Sequence, residues 1–169
     1  PRTRREVAAT LWPDAADGRA EANLRSAVWR LDGVAREAVR VADGTLALAP
    51  HVHVDLPDAR RVLVGLIDGT LGDDALPAPD DALDEVLLPG LADDWAAVER
   101  EQHRQLVLHA LEALAERQLA AGRMAAAALA AARAVRVDPL RESAQRVLMR
   151  VHAAEGNASE IARQYDLYR

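Results

Sequence analysis

With 169 residues, half of them hydrophobic, the chain has apolar material enough for one domain or two small ones. It contains no cysteine, which excludes disulfides, thiolate metal sites and cysteine nucleophiles, and fits a cytoplasmic protein. The net charge of −6 is uneven: residues 1–50 hold eight Arg against seven acids, and residues 51–169 hold thirteen against twenty. An acidic body disfavours nonspecific binding to nucleic acid, so any DNA contact must come from a local face at the front.

No apolar run approaches the roughly 18 residues that cross a bilayer, and no signal-peptide pattern opens the chain, so no membrane partner is expected. Phe is absent and Ala abundant, so the core must come from close helix packing rather than from large aromatic side chains.

Residues 3–11 read as a short helix, with Thr3 as N-cap and Glu6 three residues on as the return partner of a capping box. Val7, Ala8 and Leu11 face inward in this reading. Trp12-Pro13-Asp14 ends the helix, and turn chemistry follows to Gly18. A longer helix is expected over residues 19–35, where Leu24, Val28 and Leu31 form the buried stripe. Its opposite face carries Arg19, Ala22, Asn23, Ser26, Trp29 and Arg30, with Arg25 to one side. Val39 and Val41 alternate before Asp43-Gly44, and Leu46 and Leu48 return after it, which predicts a β-hairpin.

His51 and His53 fall on one face of an extended segment, but no third metal ligand is evident, and a linker strand is the better reading. Asp55 fits as a helix N-cap with Asp58 at its third position. A helix with Val62, Leu63, Leu66 and Ile67 inward covers residues 60–68, and Gly69 and Gly72 end it. Asp73, Asp74, Asp80, Asp81 and Asp84 lie in an irregular stretch whose spacing does not follow a calcium loop. That stretch reads as a solvated acidic loop with one helical turn near residues 81–88. From about Trp95 a long helix begins, capped by Asp93 or Asp94, with Glu99, Arg100, Glu101 and Arg104 on an exposed face.

The last third nearly repeats itself. Gly122 and Gly156 stand 34 residues apart, each closing one apolar-periodic helix and opening another. Ala127, Ala131 and Ala134 form one small-residue stripe, and Asp138-Pro139 separates the units. This period and these residues fit a tetratricopeptide (TPR)-like helical repeat. The closing face of Ile161, Tyr165 and Tyr168 is expected to need cover from further residues or another chain.

Leu11-Trp12-Pro13-Asp14, Ala22-Asn23-Leu24-Arg25 and Arg30-Leu31 resemble the winged-helix region of SARP/AfsR-type bacterial transcriptional activators. In that family an OmpR-like winged helix precedes a bacterial transcriptional activator domain (BTAD) of TPR-like helices. Residues 55–169 resemble the second domain, with Pro89-Gly90-Leu91 before Trp95, then Gly122 and Asp138-Pro139 in the family's places. The resemblance implies a mainly α fold: a partial winged helix-turn-helix with a β-hairpin wing over residues 1–50, then a TPR-like α-helical repeat domain over 51–169. The chain starts after the first strands and first helix of an OmpR-like domain, as an N-terminally truncated form would.

The family's recognition helix maps onto residues 19–34, which makes Arg19, Asn23, Arg25, Ser26 and Arg30 the implied DNA contacts. Their chemistry suits phosphate and base-edge binding. In the family the second domain supports dimerisation and activation, and Gln118, His152 and Tyr165 are placed in its exposed groove. Two departures favour an alternative, a protein-interaction module whose winged helix does not bind DNA: Asp32-Gly33 follows Arg30-Leu31 where the family continues with arginine, and Thr45 follows Gly44 where the wing has tyrosine. Phosphate-binding, dinucleotide, nucleophile-elbow and HExxH patterns are absent, and His103 and His109 lie on opposite sides of one helix. The expectation is a regulator of promoter DNA with no cofactor and no enzymatic activity.

Overall fold

Thr3 and Glu6 open the first helix by satisfying each other's backbone. The Glu6 N–H donates to Thr3 Oγ1 at 3.2 Å, and the Thr3 N–H donates to Glu6 Oε2 at 2.8 Å. The computed structural model describes residues 1–71 and 86–169, which divide into two units, Pro1–Val54 and Asp55–Arg169. The expected acidic loop lies almost entirely outside the described residues.

The first unit runs β1 (Arg2–Thr3), α1 (Arg4–Leu11), α2 (Asp17–Arg30), α3 (Gly33–Ala38), β2 (Val39–Ala42) and β3 (Thr45–Leu48). The strands form one antiparallel sheet in the order β1-β3-β2, with Arg2 opposite Leu46 and Val41 also opposite Leu46. Asp43 and Gly44 both adopt positive φ (49° and 74°), as a two-residue primed turn between twisted strands requires. A small core of Ala8, Ala20 and Leu24 gathers Val7, Trp12, Ala15, Val28 and Leu46 around it.

Three expectations need correction here. The helix over residues 19–35 is two helices: α2 stops at Arg30, Leu31 is extended (φ −61°, ψ 130°), and α3 starts at Gly33. Gly33 sits at φ 46°, a conformation that glycine takes without the cost a Cβ imposes, so Asp32-Gly33 is a hinge between them. Leu11 is half-exposed rather than inward, because Ala8 holds the contact with α2. And residues 49–52 make a turn, with the Val52 N–H donating to Ala49 C=O at 2.9 Å, where a linker strand was expected.

The second unit is a run of antiparallel helices: α4 (Leu56–Asp68), α5 (Asp94–Ala120), α6 (Met124–Val137), α7 (Glu142–Ala154) and α8 (Ala158–Tyr168). Each packs on the next, and α5 also meets α7. Leu63 and Leu66 of α4, Leu108, Leu111 and Leu114 of α5, and Val147 and Leu148 of α7 form one core. Ala127, Ala131 and Ala134 are fully buried, so the missing side-chain bulk on α6 brings it close to its neighbours.

Gly122 and Gly156 close α5 and α7 by the same device. Both have φ near 73°. The Arg123 N–H donates five residues back to Gln118 C=O at 2.9 Å, and the Asn157 N–H donates to His152 C=O at 2.8 Å. These are matching Schellman ends, one per repeat.

The charged residues at the start of α5 are paired, although Glu99 and Glu101 stay open to solvent. Arg60 bonds Glu99 at 2.7 Å, and Arg104 bonds Asp138 at 2.8 Å and also Glu101. Arg100 donates to the carbonyls of Leu87, Leu88 and Leu91 at 2.9, 3.0 and 2.9 Å. Asp55 and Asp93 stand at the expected N-cap positions, but neither makes a side-chain capping bond, and Asp55 itself is helical in backbone. Pro57 in the first turn of α4 lacks an N–H to be capped.

Candidate nucleic-acid interface and helical groove

Fourteen residues of α2 divide into two sides by their spacing. Asp17, Glu21, Leu24 and Val28 recur at intervals of four, three and four, and this side bears the core contacts. Arg19, Asn23, Ser26 and Arg30 recur at the same intervals on the opposite side, with Arg25 and Trp29 in the adjoining row. Both acids of α2 are exposed at the margin of the core side: Asp17 is bonded to Arg5 at 2.8 Å, and Glu21 lies one turn before Arg25. The outward arc carries three arginines, with Glu21 at its edge.

Arg19, Arg25, Ser26 and Arg30 are exposed, and Asn23 is half-buried. Ser26 Oγ donates to Ala22 C=O at 3.0 Å, which leaves the hydroxyl free mainly as an acceptor. Arg30 Nε donates to Ser26 C=O at 3.3 Å, which lays its guanidinium along the helix and leaves both terminal nitrogens outward of that bond. Arg25, Ser26, Trp29 and Arg30 line one open depression. The sequence reading set Trp29 on this face without naming it as a contact; its 83% exposure is what singles it out.

The three residues expected in the groove of the second unit separate. Gln118 is buried, its Oε1 accepting from Arg123 Nε at 2.5 Å, so it fixes the α5–α6 corner instead of lining a surface. His152 is largely covered and faces Glu155, with Nδ1 3.4 Å from the carboxylate. Tyr165 alone is open, half-exposed in a groove between α7 and α8 with Arg146, Met149, Arg150, Ala153, Ile161 and Tyr168.

That groove has a counterpart one repeat earlier. Subtracting 34 residues turns Met149, Ile161, Tyr165 and Tyr168 into Ala115, Ala127, Ala131 and Ala134, all of them fully buried between α5 and α6 or under α7. So the open groove corresponds to the seat that α7 occupies in the preceding repeat. Its side chains are larger and its floor is exposed.

Two further ionisable groups in the second unit stand out. Glu112 is pushed up by burial, but hydrogen bonds from Arg141 (2.7 Å) and Ser143 (2.5 Å) more than offset this and hold its carboxyl below the usual range. His103 is buried, its Nδ1 makes no hydrogen bond among the described residues, and burial with the nearby Arg60 lowers its pKa.

Among the described residues no group of three His, Asp or Glu side chains could hold a metal ion, and no helix is long and apolar enough to cross a membrane. Neither the curated proteins nor the solved structures contain a match to the chain. A family model does match: the bacterial transcriptional activator domain covers residues 78–169, more than half of the sequence, and the chain belongs to that family.

Proposed function

We propose that the chain is a DNA-binding transcriptional regulator, in which the first unit contacts promoter DNA and the second mediates self-association or protein contacts. The observation that carries this reading is the outward arc of α2, with Arg19, Arg25 and Arg30 against Glu21 at its edge, on a chain that also bears a transcriptional activator domain. The order of helix, turn, helix and hairpin, with β1 added to the hairpin's inner strand, supports a winged helix. In it α2 is the recognition helix, Arg19, Asn23, Arg25, Ser26 and Arg30 are its contacts, and β2–β3 is the wing.

For the second unit, the helical stack and its open α7–α8 groove support a protein-binding role, with Tyr165 at the surface. Gln118 and His152 are left out of that surface. The reading assigns the chain no catalytic step, no cofactor and no membrane contact.

The alternative, an interaction module with a winged helix that does not touch DNA, draws on the end of α2 at Arg30 and the acid that follows at Asp32. Charge reversal separates the two. Arg25→Glu with Arg30→Glu should abolish binding to promoter duplexes in a gel-shift titration while leaving helix content unchanged. Equal binding by parent and variant would favour the interaction module.

A further inference from the structure

We propose that Trp29 reads sequence, by apolar contact of its indole with the C5-methyl group of a thymine in the major groove. This rests on the reading of α2 as the DNA-contacting helix and names a specificity residue within it.

Trp29 is 83% exposed on a well-formed helix, although an indole is among the side chains that gain most from leaving water. It belongs to the outward row with Arg25, one turn before it, and shares a depression with Arg25, Ser26 and Arg30. Glu21, exposed one turn before Arg25, is the acid at the edge of this arc, and Arg25 stands between it and the indole. The surface around Trp29 is thus bordered by Arg25 and Arg30 and attracts a polyanion. It also repels a second copy of itself, since a two-fold contact through this face would set Arg25 and Arg30 against their own images.

From Arg19 to Arg30 the helix rises about 16 Å at 1.5 Å per residue. The major groove is roughly 12 Å wide, so arginines at the two ends can hold phosphates on its rims while the arc between them faces base edges. There Ser26 has its hydroxyl proton engaged with Ala22 C=O, and Trp29 is the large apolar group that remains. The thymine methyl is the apolar feature a major groove offers.

The test uses the 169-residue chain and a duplex that it selects from a random-sequence pool, with binding followed by fluorescence anisotropy. Trp29→Ala is expected to keep its helix content and melting temperature, because the side chain it loses is solvated. It should weaken the selected duplex on the order of tenfold, leave affinity for a scrambled duplex unchanged, and leave the salt dependence unchanged, since no charge is removed. Replacing one contacted thymine by uracil, which deletes the methyl alone, should cost the parent chain about fourfold and the Trp29→Ala chain nothing.

Equal losses on uracil substitution in both proteins, or Trp29→Ala binding as tightly as the parent, would overturn the assignment. So would a Trp29→Ala effect confined to sedimentation or to binding of an acidic protein. If no duplex is enriched over the pool at low salt, the reading of α2 as a DNA-contacting helix fails, and that outcome is separate from DNA binding that ignores Trp29.

Discussion

Arg150 on α7 is bonded to Glu116 on α5, the residue that stands 34 positions before it and occupies the same place in the preceding repeat. Nearby, Arg141 bonds Glu112 at 2.7 Å, with both side chains mostly covered. The two helices that start the repeats are thus joined side by side through charge. The pairs differ in worth. Arg150–Glu116 is more than a third exposed on both sides, where solvent leaves little net gain. Glu112–Arg141 is screened less, and Ser143 and Gln105 complete its hydrogen bonding.

Glu112→Gln should therefore destabilise the fold by about 1–3 kcal/mol in a urea titration, while Glu116→Gln costs less than about 1 kcal/mol. The pH dependence has a definite sign. The carboxyl of Glu112 is held below its ordinary value of 4.5, so its contribution is present above that pH and is lost as pH falls through the lower, folded value. The acid limb of stability should be shallower in Glu112→Gln. An unchanged limb would show that the pair does not sense the proton.

His103 acts in a different window. Its folded pKa is lowered from 6.5 by burial first and by Arg60 second, so the folded chain resists the proton that the unfolded chain accepts. Stability should fall as pH drops below about 6.5 and stop falling below the folded pKa. His103→Gln should flatten the slope between pH 5 and 7. If the slope there is the same in both proteins, His103 is not its source.

Glycine substitutions should give opposite signs at two helical sites. A Cβ at Gly65 in α4 would meet Leu71 Cγ at 2.6 Å and Cδ1 at 2.7 Å, so the chain after α4 could not fold back as it does. Gly65→Ala should cost about 1–3 kcal/mol. Gly18, in the first turn of α2, has nothing within 4 Å, and Gly18→Ala should stabilise by about 0.5–1 kcal/mol. Thermal melts of the two variants check both; a loss at Gly18 would mean that α2 needs flexibility at its start.

The groove between α7 and α8 should be a place where mutation changes association more than stability. Tyr165→Glu removes little buried area, because the side chain is half-exposed. The variant should melt within about 0.5 kcal/mol of the parent and lose concentration-dependent self-association in sedimentation velocity, if that groove holds a partner. Loss of folding with no change in association would place Tyr165 in the core instead.

Local, chemically marked features were legible in the sequence. The Thr3–Glu6 box, the Asp43-Gly44 turn and the paired ends at Gly122 and Gly156 each depend on a side chain or a conformation that only a few residues supply. The alanine stripe of α6 was legible for a related reason, since small residues at helical spacing have few uses besides close packing. What escaped depends on distant partners. β1 is two residues long, too short for an alternation, and exists because Arg2 and Thr3 find Leu46 and Thr45.

The end of α2 was missed because apolar spacing continues through Leu31 while the backbone does not, and Gly33 was the available sign of it. Gln118 shows the converse limit. A polar residue on a helix was assigned to the surface, yet it is buried around Arg123, whereas Trp29 is exposed on the outward face where its spacing set it. Which side of a helix meets a neighbour is a property of packing, and beyond His103 α5 is covered on nearly every side, which weakens its amphipathic signal.

In the proposed regulator, the arginine face of α2 binds promoter DNA. The direct measurement is the affinity for upstream promoter duplex across a salt series, for the parent and for Arg30→Ala. Binding should weaken steeply with salt, and the slope of log K against log salt should become shallower by about one unit in Arg30→Ala. Weak binding with the same slope in both proteins, indifferent to sequence, would contradict the claim and leave the helical stack as the functional part.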